Sequence, residues 1–216
     1  MNISINGLNV TVKTKSKNAI YANDLSYTNS DKVNDEKRGF LYYNATINDW
    51  VFCGLNQITP SRYDNLILIL ESPHKDEFSP TGIPLRPANG ITGTKINNLL
   101  AKHVQYIPGL TLSKSTVYCV WIVNAIQYQT SAYHQLYTVS GYSDYWRSLR
   151  DKVFKTMWDS NSPFNLQADL LQRLDTITPS ECVNCVTGGK SAYGLRTLVS
   201  KAIPQACCYS HPSSWT

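Results

Sequence analysis

Five aliphatic residues in a row, Leu66-Ile67-Leu68-Ile69-Leu70, run without a spacer into Glu71-Ser72-Pro73-His74. No other stretch constrains the fold as much. An unbroken aliphatic run of that length suits a strand buried on both faces, with alternate side chains entering two different cores. Such strands belong to parallel sheets flanked by helices. Pro73 has no N–H to give to a ladder, so the strand ends there. In open α/β sheets, ligands bind at the carboxyl ends of the strands. Glu71, Ser72, Pro73 and His74 therefore stand where a site is expected. A solvated turn capping a strand would use the same residue types.

The rest of the chain fits that frame. Ile3, Ile5, Leu8, Val10 and Val12 flank Asn6-Gly7, a strong hairpin signal. Residues 18–38 are polar and charged, and read as a loop or short helix. Residues 39–52 are rich in aromatics and read as a strand pair or a packing layer. A helix is expected over 94–106, with Ile96, Leu99, Leu100 and Val104 on one face and Thr92 or Thr94 as its cap. Residues 117–123 form a second buried strand, ending in Asn124. Helices follow over 145–157 and 164–174. A third strand covers 182–187 and leads through Gly188-Gly189-Lys190-Ser191 into a helix that ends at Ala202. A fourth strand over 205–209 delivers His211 to the same sheet edge. Strands alternating with helices predict an α/β fold. The expected form is a three-layer αβα sandwich on a central, mainly parallel four-stranded sheet, with an N-terminal β-hairpin extension. The chain reads as one domain over 1–216, with a core over 64–216 and an extension over 1–63.

With 216 residues and 42% hydrophobic content, the chain can build one sizeable core. No apolar run reaches the length of a membrane span, and the first residues lack the pattern of a signal peptide. A soluble, monomeric, cytoplasmic protein is expected. The net charge of +5 permits nucleic-acid binding without requiring it. Cys182 and Cys185 resemble half a metal site, but three residues apart on a strand they point to opposite faces. No metal and no cofactor are expected. Residues 126–146 hold Tyr128, Tyr133, Tyr137, Tyr142, Tyr145 and Trp146 among amides and hydroxyls. Such a surface can stack bases or sugars, and it can equally be a tyrosine-rich packing layer.

Two motifs carry a family resemblance. Glu71-Ser72-Pro73-His74-Lys75-Asp76-Glu77 is followed by Gly82-Ile83-Pro84-Leu85 and by Gly90-Ile91-Thr92-Gly93-Thr94-Lys95 opening a helix. This resembles the first motif of the uracil-DNA glycosylase superfamily, closest to its iron–sulfur branch. There a strand ends in Gly-Glu-Ala-Pro-Gly before acidic residues and a Gly-rich turn. His211-Pro212-Ser213-Ser214-Trp215-Thr216 resembles the closing His-Pro-Ser loop of that superfamily. The resemblance covers 64–216 and implies a base-flipping enzyme that hydrolyses an N-glycosidic bond in DNA. Carried over residue by residue, it makes Glu71 the catalytic carboxylate and His211 the group that stabilises the departing base. It makes Asn124 the base reader, beside Ser72, His74, Leu85 and Tyr128. Pro73, Gly189, Lys190, Ser191 and Ser213 fall to the DNA backbone, and Trp215 to the wedge that fills the gap left by a flipped base.

The sequence departs from the family in four places. Ser72 stands where many members carry Asp or Asn, so the charge falls to Glu71, or else to Asp76 or Glu77. Cys53 is the only cysteine before Cys119, so the N-terminal cysteine pair of the iron–sulfur cluster is missing. Pro84-Leu85 replaces Pro-Phe, and Arg86-Pro87-Ala88-Asn89 is inserted after it. The last two changes, together with a tyrosine-rich stretch after Asn124 that is longer than the family leads one to expect, point to a reshaped pocket for a bulky modified pyrimidine, such as hydroxymethylated or glucosylated cytosine of phage DNA, and to a role in defence. Uracil repair is the alternative. A non-catalytic base-binding module and an unrelated α/β hydrolase also fit the residues.

Overall fold

A computed structural model of the chain describes residues 2–5, 8–12, 24–27, 32–79, 83–128, 130, 151, 153–161, 164–177, 180–186 and 194–216. The aliphatic run lies in a central strand that pairs in parallel with a neighbour on each side. In chain order, the first two strands of this parallel group are β6 (Asp64–Leu70) and β7 (Tyr118–Asn124). The other two are β8 (Ser180–Asn184) and the two-residue β9 (Cys207–Cys208). Leu66, Leu68 and Leu70 enter one core, while Ile67 and Ile69 enter the other. Period-two alternation between two apolar interiors is what an all-aliphatic strand requires.

Helices cover both faces. On the Leu66 side lies α1 (Ile91–His103), which buries Ile96 and Leu100. On the Ile67 side lie α2 (residues 153–158), α3 (Leu166–Asp175) and α4 (Leu195–Ala202). Gly90 is the N-cap of α1 and no side chain caps it, so neither Thr92 nor Thr94 has the expected capping role. The close approach of Gly93 to the preceding loop shapes this helix start instead. A Cβ there would lie 1.8 Å from Ala88 O.

The sheet has six strands, not four, in the order β5-β4-β7-β6-β8-β9. Four of them are the expected parallel strands. The additions are β4 (Glu36–Asn44) and β5 (Asp49–Cys53), an antiparallel pair laid against the outer edge of β7. An exposed β7 would present a row of unpaired backbone groups, and β4 satisfies them. The register shifts at Gly39, where a Cβ would come within 2.2 Å of Cys53 O. The expected hairpin also forms: β1 (Asn2–Ile5) pairs antiparallel with β2 (Leu8–Val12), with Ile5 opposite Leu8. Residues 18–38 are not simply a loop or short helix. They contain β3 (Asp24–Tyr27), parallel to β2, and the first residues of β4. Cys182 belongs to one core and Cys185 to the other, as their spacing implied. Among the described residues, no helix is long and apolar enough to cross a membrane.

Candidate functional site

The parallel strands finish level. Leu70 sits opposite Asn124, Ile69 opposite Asn184, and Asn184 opposite Cys208. The chain after β6 crosses to β7 on one side, and the next crossover places β8 on the other. This reversal is a topological switch point, and the carboxyl end of β6 is where open α/β sheets form their ligand crevice. Glu71, Ser72, Pro73 and His74 occupy that end. The ladder extends past the strands, with Ala125 N–H donating to Leu70 O at 2.7 Å and Ile126 N–H to Glu71 O at 3.1 Å.

Pro73 turns the chain into a 3-10 turn over Lys75–Glu77. Glu77 N–H closes that turn on His74 O at 2.9 Å. A short antiparallel contact then holds its far side, with Leu85 N–H donating to Glu77 O and Ser79 N–H to Ile83 O, both at 2.8 Å. The turn faces Glu77 inward and Asp76 outward. Glu77 is 4% exposed. Its Oε1 accepts His74 N–H at 3.1 Å, and its Oε2 accepts Asn124 Nδ2–H at 3.1 Å. Desolvation pushes the Glu77 carboxyl up to about 7, against the pull of its hydrogen bonds to His74, Asn124 and Ala88 and of the Arg38 charge. A carboxyl titrating near neutrality in a crevice is a functional-site signal.

Asn124 is fully buried at the end of β7. Its amide nitrogen is committed to Glu77, while its Oδ1 meets no donor among the described residues. A buried acceptor left unsatisfied costs roughly 1–3 kcal/mol. Such a group is retained where something else supplies the donor. Arg173 fixes the backbone behind it. Its Nη2 donates to Asn124 O at 3.0 Å, and its Nη1 reaches both Asp35 oxygens at 2.8 and 2.7 Å.

The remaining expected residues divide sharply. Glu71 is buried at the strand end. Ser72 Oγ and Thr130 Oγ1 share a hydrogen bond of 2.7 Å. His74 Nδ1 accepts Asp76 N–H at 3.3 Å and lies 3.2 Å from Asp76 Oδ2. Leu85 is 52% exposed. The Tyr128 ring belongs to the core under α2 and α3, and Lys32 Nζ lies 5.4 Å from its centre. His211 caps the 3-10 turn Pro212–Ser214 by accepting Ser213 N–H on Nδ1 at 3.2 Å, with Ser213 Oγ 2.8 Å from the same atom. An acceptor Nδ1 puts the proton of the neutral ring on Nε2, which makes that nitrogen a donor.

Trp215 is corrected outright. An intercalating wedge must stand clear of the protein, but Trp215 is 1% exposed and stacks on His103 with centroids 4.7 Å apart. Its indole N–H donates to Ser210 O at 3.1 Å, so it is a core anchor beneath α1. Gly189, Lys190 and Ser191, like Tyr133, Tyr137, Tyr142, Tyr145 and Trp146, lie outside the described residues.

Sequence reasoning ranked Glu77 behind Glu71, and it missed Arg38, Ala88 and Arg173. The available signal was weak, because only the phase of the turn after Pro73 separates Glu77 from Asp76. No family model matches this chain, and neither a curated protein nor a solved structure matches it.

Proposed function

We propose that the chain is a DNA glycosylase that turns a pyrimidine nucleotide out of the helix and hydrolyses its N-glycosidic bond. The observation that carries this reading is the buried Asn124 amide, held by Glu77 and left with an unsatisfied Oδ1 at the crevice of a parallel sheet. A flipped pyrimidine supplies the donor that is missing, through the N4 amino group of a cytosine or the N3–H of a uracil. The motif resemblance supports the same assignment for Asn124, Glu71 and His211. In the reaction, the bond between C1′ and the base nitrogen breaks, and its electron pair leaves with the base. Glu71 stabilises the positive charge that develops on the sugar. The Nε2–H of His211 stabilises the negative charge that develops on the base. Water adds its oxygen to C1′, and its proton ends on the released base. By the motif resemblance, the exposed Leu85 and the insert after it stand where uracil-specific members of that superfamily carry an aromatic wall. That favours a modified pyrimidine.

One observation favours the non-catalytic alternative: Glu71, the carboxylate the reaction calls on, is itself buried at the strand end. A single experiment separates the two. Duplex and single-stranded DNAs carrying uracil, cytosine, hydroxymethylcytosine or glucosylated hydroxymethylcytosine are incubated with the protein and then treated with alkali. Strand breaks at one base, reduced roughly 10²-fold or more by Glu71→Gln, support the enzyme. Retention of a DNA without strand breaks supports a binding module, and breaks that Glu71→Gln leaves unchanged remove Glu71 from the chemistry.

A further inference from the structure

A second cleft, of about 370 Å³, opens where the end of β5 meets the start of α1. Arg38, Phe52, Gln57, Arg86 and Asn97 line it. Arg38 and Phe52 come from the hairpin that extends the parallel sheet, and Arg86 opens the insert that follows Leu85. Two guanidiniums converge here, with Glu36 between them and Glu77 also acting on Arg38. Among the described residues, the one acceptor they share is Glu36 Oε2, 3.4 Å from Arg38 Nη1 and 3.7 Å from Arg86 Nε. The Arg38 side chain is 4% exposed. Its Nη2 donates to Ala88 O at 2.9 Å, while its buried Nε donates to nothing among the described residues. Burial, and after it the Arg86 charge, push the Arg38 pKa down. Two like charges held together around a space, one with an idle buried donor, form an arrangement that an anion stabilises.

We propose that this cleft binds a phosphate group carried by a nucleotide. The planar forks of arginine match phosphate oxygens better than any other side chain. Gln57 and Asn97 add amide donors, and Phe52 offers an apolar wall. The volume lies within the roughly 300–1,000 Å³ typical of small-molecule sites and leaves room for more than the anion alone. Arg38 links the cleft to the crevice, because it holds Ala88 O and its charge acts on Glu77. The proposal does not rest on glycosylase activity, and its test reads binding alone.

The probes are 5′-dCMP, deoxycytidine and a short single-stranded oligonucleotide without terminal phosphates, each titrated into the protein by calorimetry at low salt. The variants are Arg86→Gln and Asn97→Ala, both at exposed positions, with Lys201→Gln on α4 as a remote control. The expected result is binding of a phosphate-bearing probe, no binding of deoxycytidine, and a loss of about ten- to hundredfold in Arg86→Gln, the scale of one charge-assisted hydrogen bond. Lys201→Gln should bind like the parent protein. If dCMP binds and the oligonucleotide does not compete, the source is a free nucleotide. If the oligonucleotide binds in an Arg86-dependent way, the source is the DNA backbone, and its salt slope should fall by about one in Arg86→Gln. Three results would overturn the proposal: neither phosphate probe binds, deoxycytidine binds as well as dCMP, or Lys201→Gln costs as much as Arg86→Gln.

Discussion

Asp76 and Glu77 are adjacent in the chain, yet one is exposed to solvent and the other is sealed under a loop. The difference comes from the 3-10 turn that Pro73 starts, since a turn of three residues per cycle sends successive side chains in different directions. Composition could place acidic residues beyond β6, but it could not say which of them faced inward. The consequence can be measured as pH dependence. The Glu77 carboxyl moves from an ordinary 4.5 to about 7 in the folded protein, so the folded state holds this proton more tightly than the unfolded state. Below the ordinary value both states are protonated, and Glu77 has no effect on the pH dependence of stability. As pH rises toward the folded value the unfolded state ionises first, and stability falls. Above it the full penalty, about 3 kcal/mol, is present. Glu77→Gln removes the titration. Thermal denaturation from about pH 5 to about pH 8 should show the parent protein losing stability relative to the variant as pH rises. Parallel profiles would mean that Glu77 does not titrate in this window.

At the scale of elements, β6 was fully legible, because an all-aliphatic run bounded by proline has few other uses. The antiparallel pairing of β4 on β7 was not, since strand partners far apart in sequence leave no local trace. The closing loop shows a further limit. Its His-Pro-Ser triplet could be seen in the chain, but the direction of the next side chain could not. Trp215 turns back under α1, where His103 and Tyr209 flank its ring. Lys95 on α1 donates to the Trp215 carbonyl, and Lys102 to the Thr216 carbonyl at 3.2 Å. The last residues are thereby fastened along the helix, and His211 is held by a rigid segment rather than by a loose end. Trp215→Ala empties a large buried volume and should cost about 3–5 kcal/mol of stability, read from the denaturant midpoint. Any effect on DNA should be the same for duplex and single strand, since no wedge is lost. A stability change under about 1 kcal/mol together with a duplex-specific defect would restore the wedge.

At the scale of the molecule, the motif resemblance was expected over 64–216 with 1–63 as an extension, but the sheet does not divide there. β4 pairs with β7 along Glu36–Leu41, and Val33 N–H donates to Gln127 O at 3.0 Å. Asp35 receives the Arg173 guanidinium that also holds Asn124 O, and Arg38 holds the Ala88 carbonyl beside Glu77. Both ends of the Glu77–Asn124 pair are thus tied to residues before position 64. Val33, Phe40 and Leu41 are buried, and each such side chain contributes roughly 1.5–3 kcal/mol. Together these side chains approach the 5–15 kcal/mol by which a whole domain is stable. A chain that starts at residue 64 should therefore lack cooperative unfolding. It should also aggregate, because removing β4 leaves the apolar edge of β7 open to other chains. Circular dichroism melting and size-exclusion chromatography check both outcomes. A monomeric 64–216 fragment with a sharp melt would show that the hairpin is an appendage after all. Asp35→Asn in the full chain is the milder version of the same test. It leaves β4 in place and weakens one tie, so it should lower the melting temperature while the protein stays monomeric and folded.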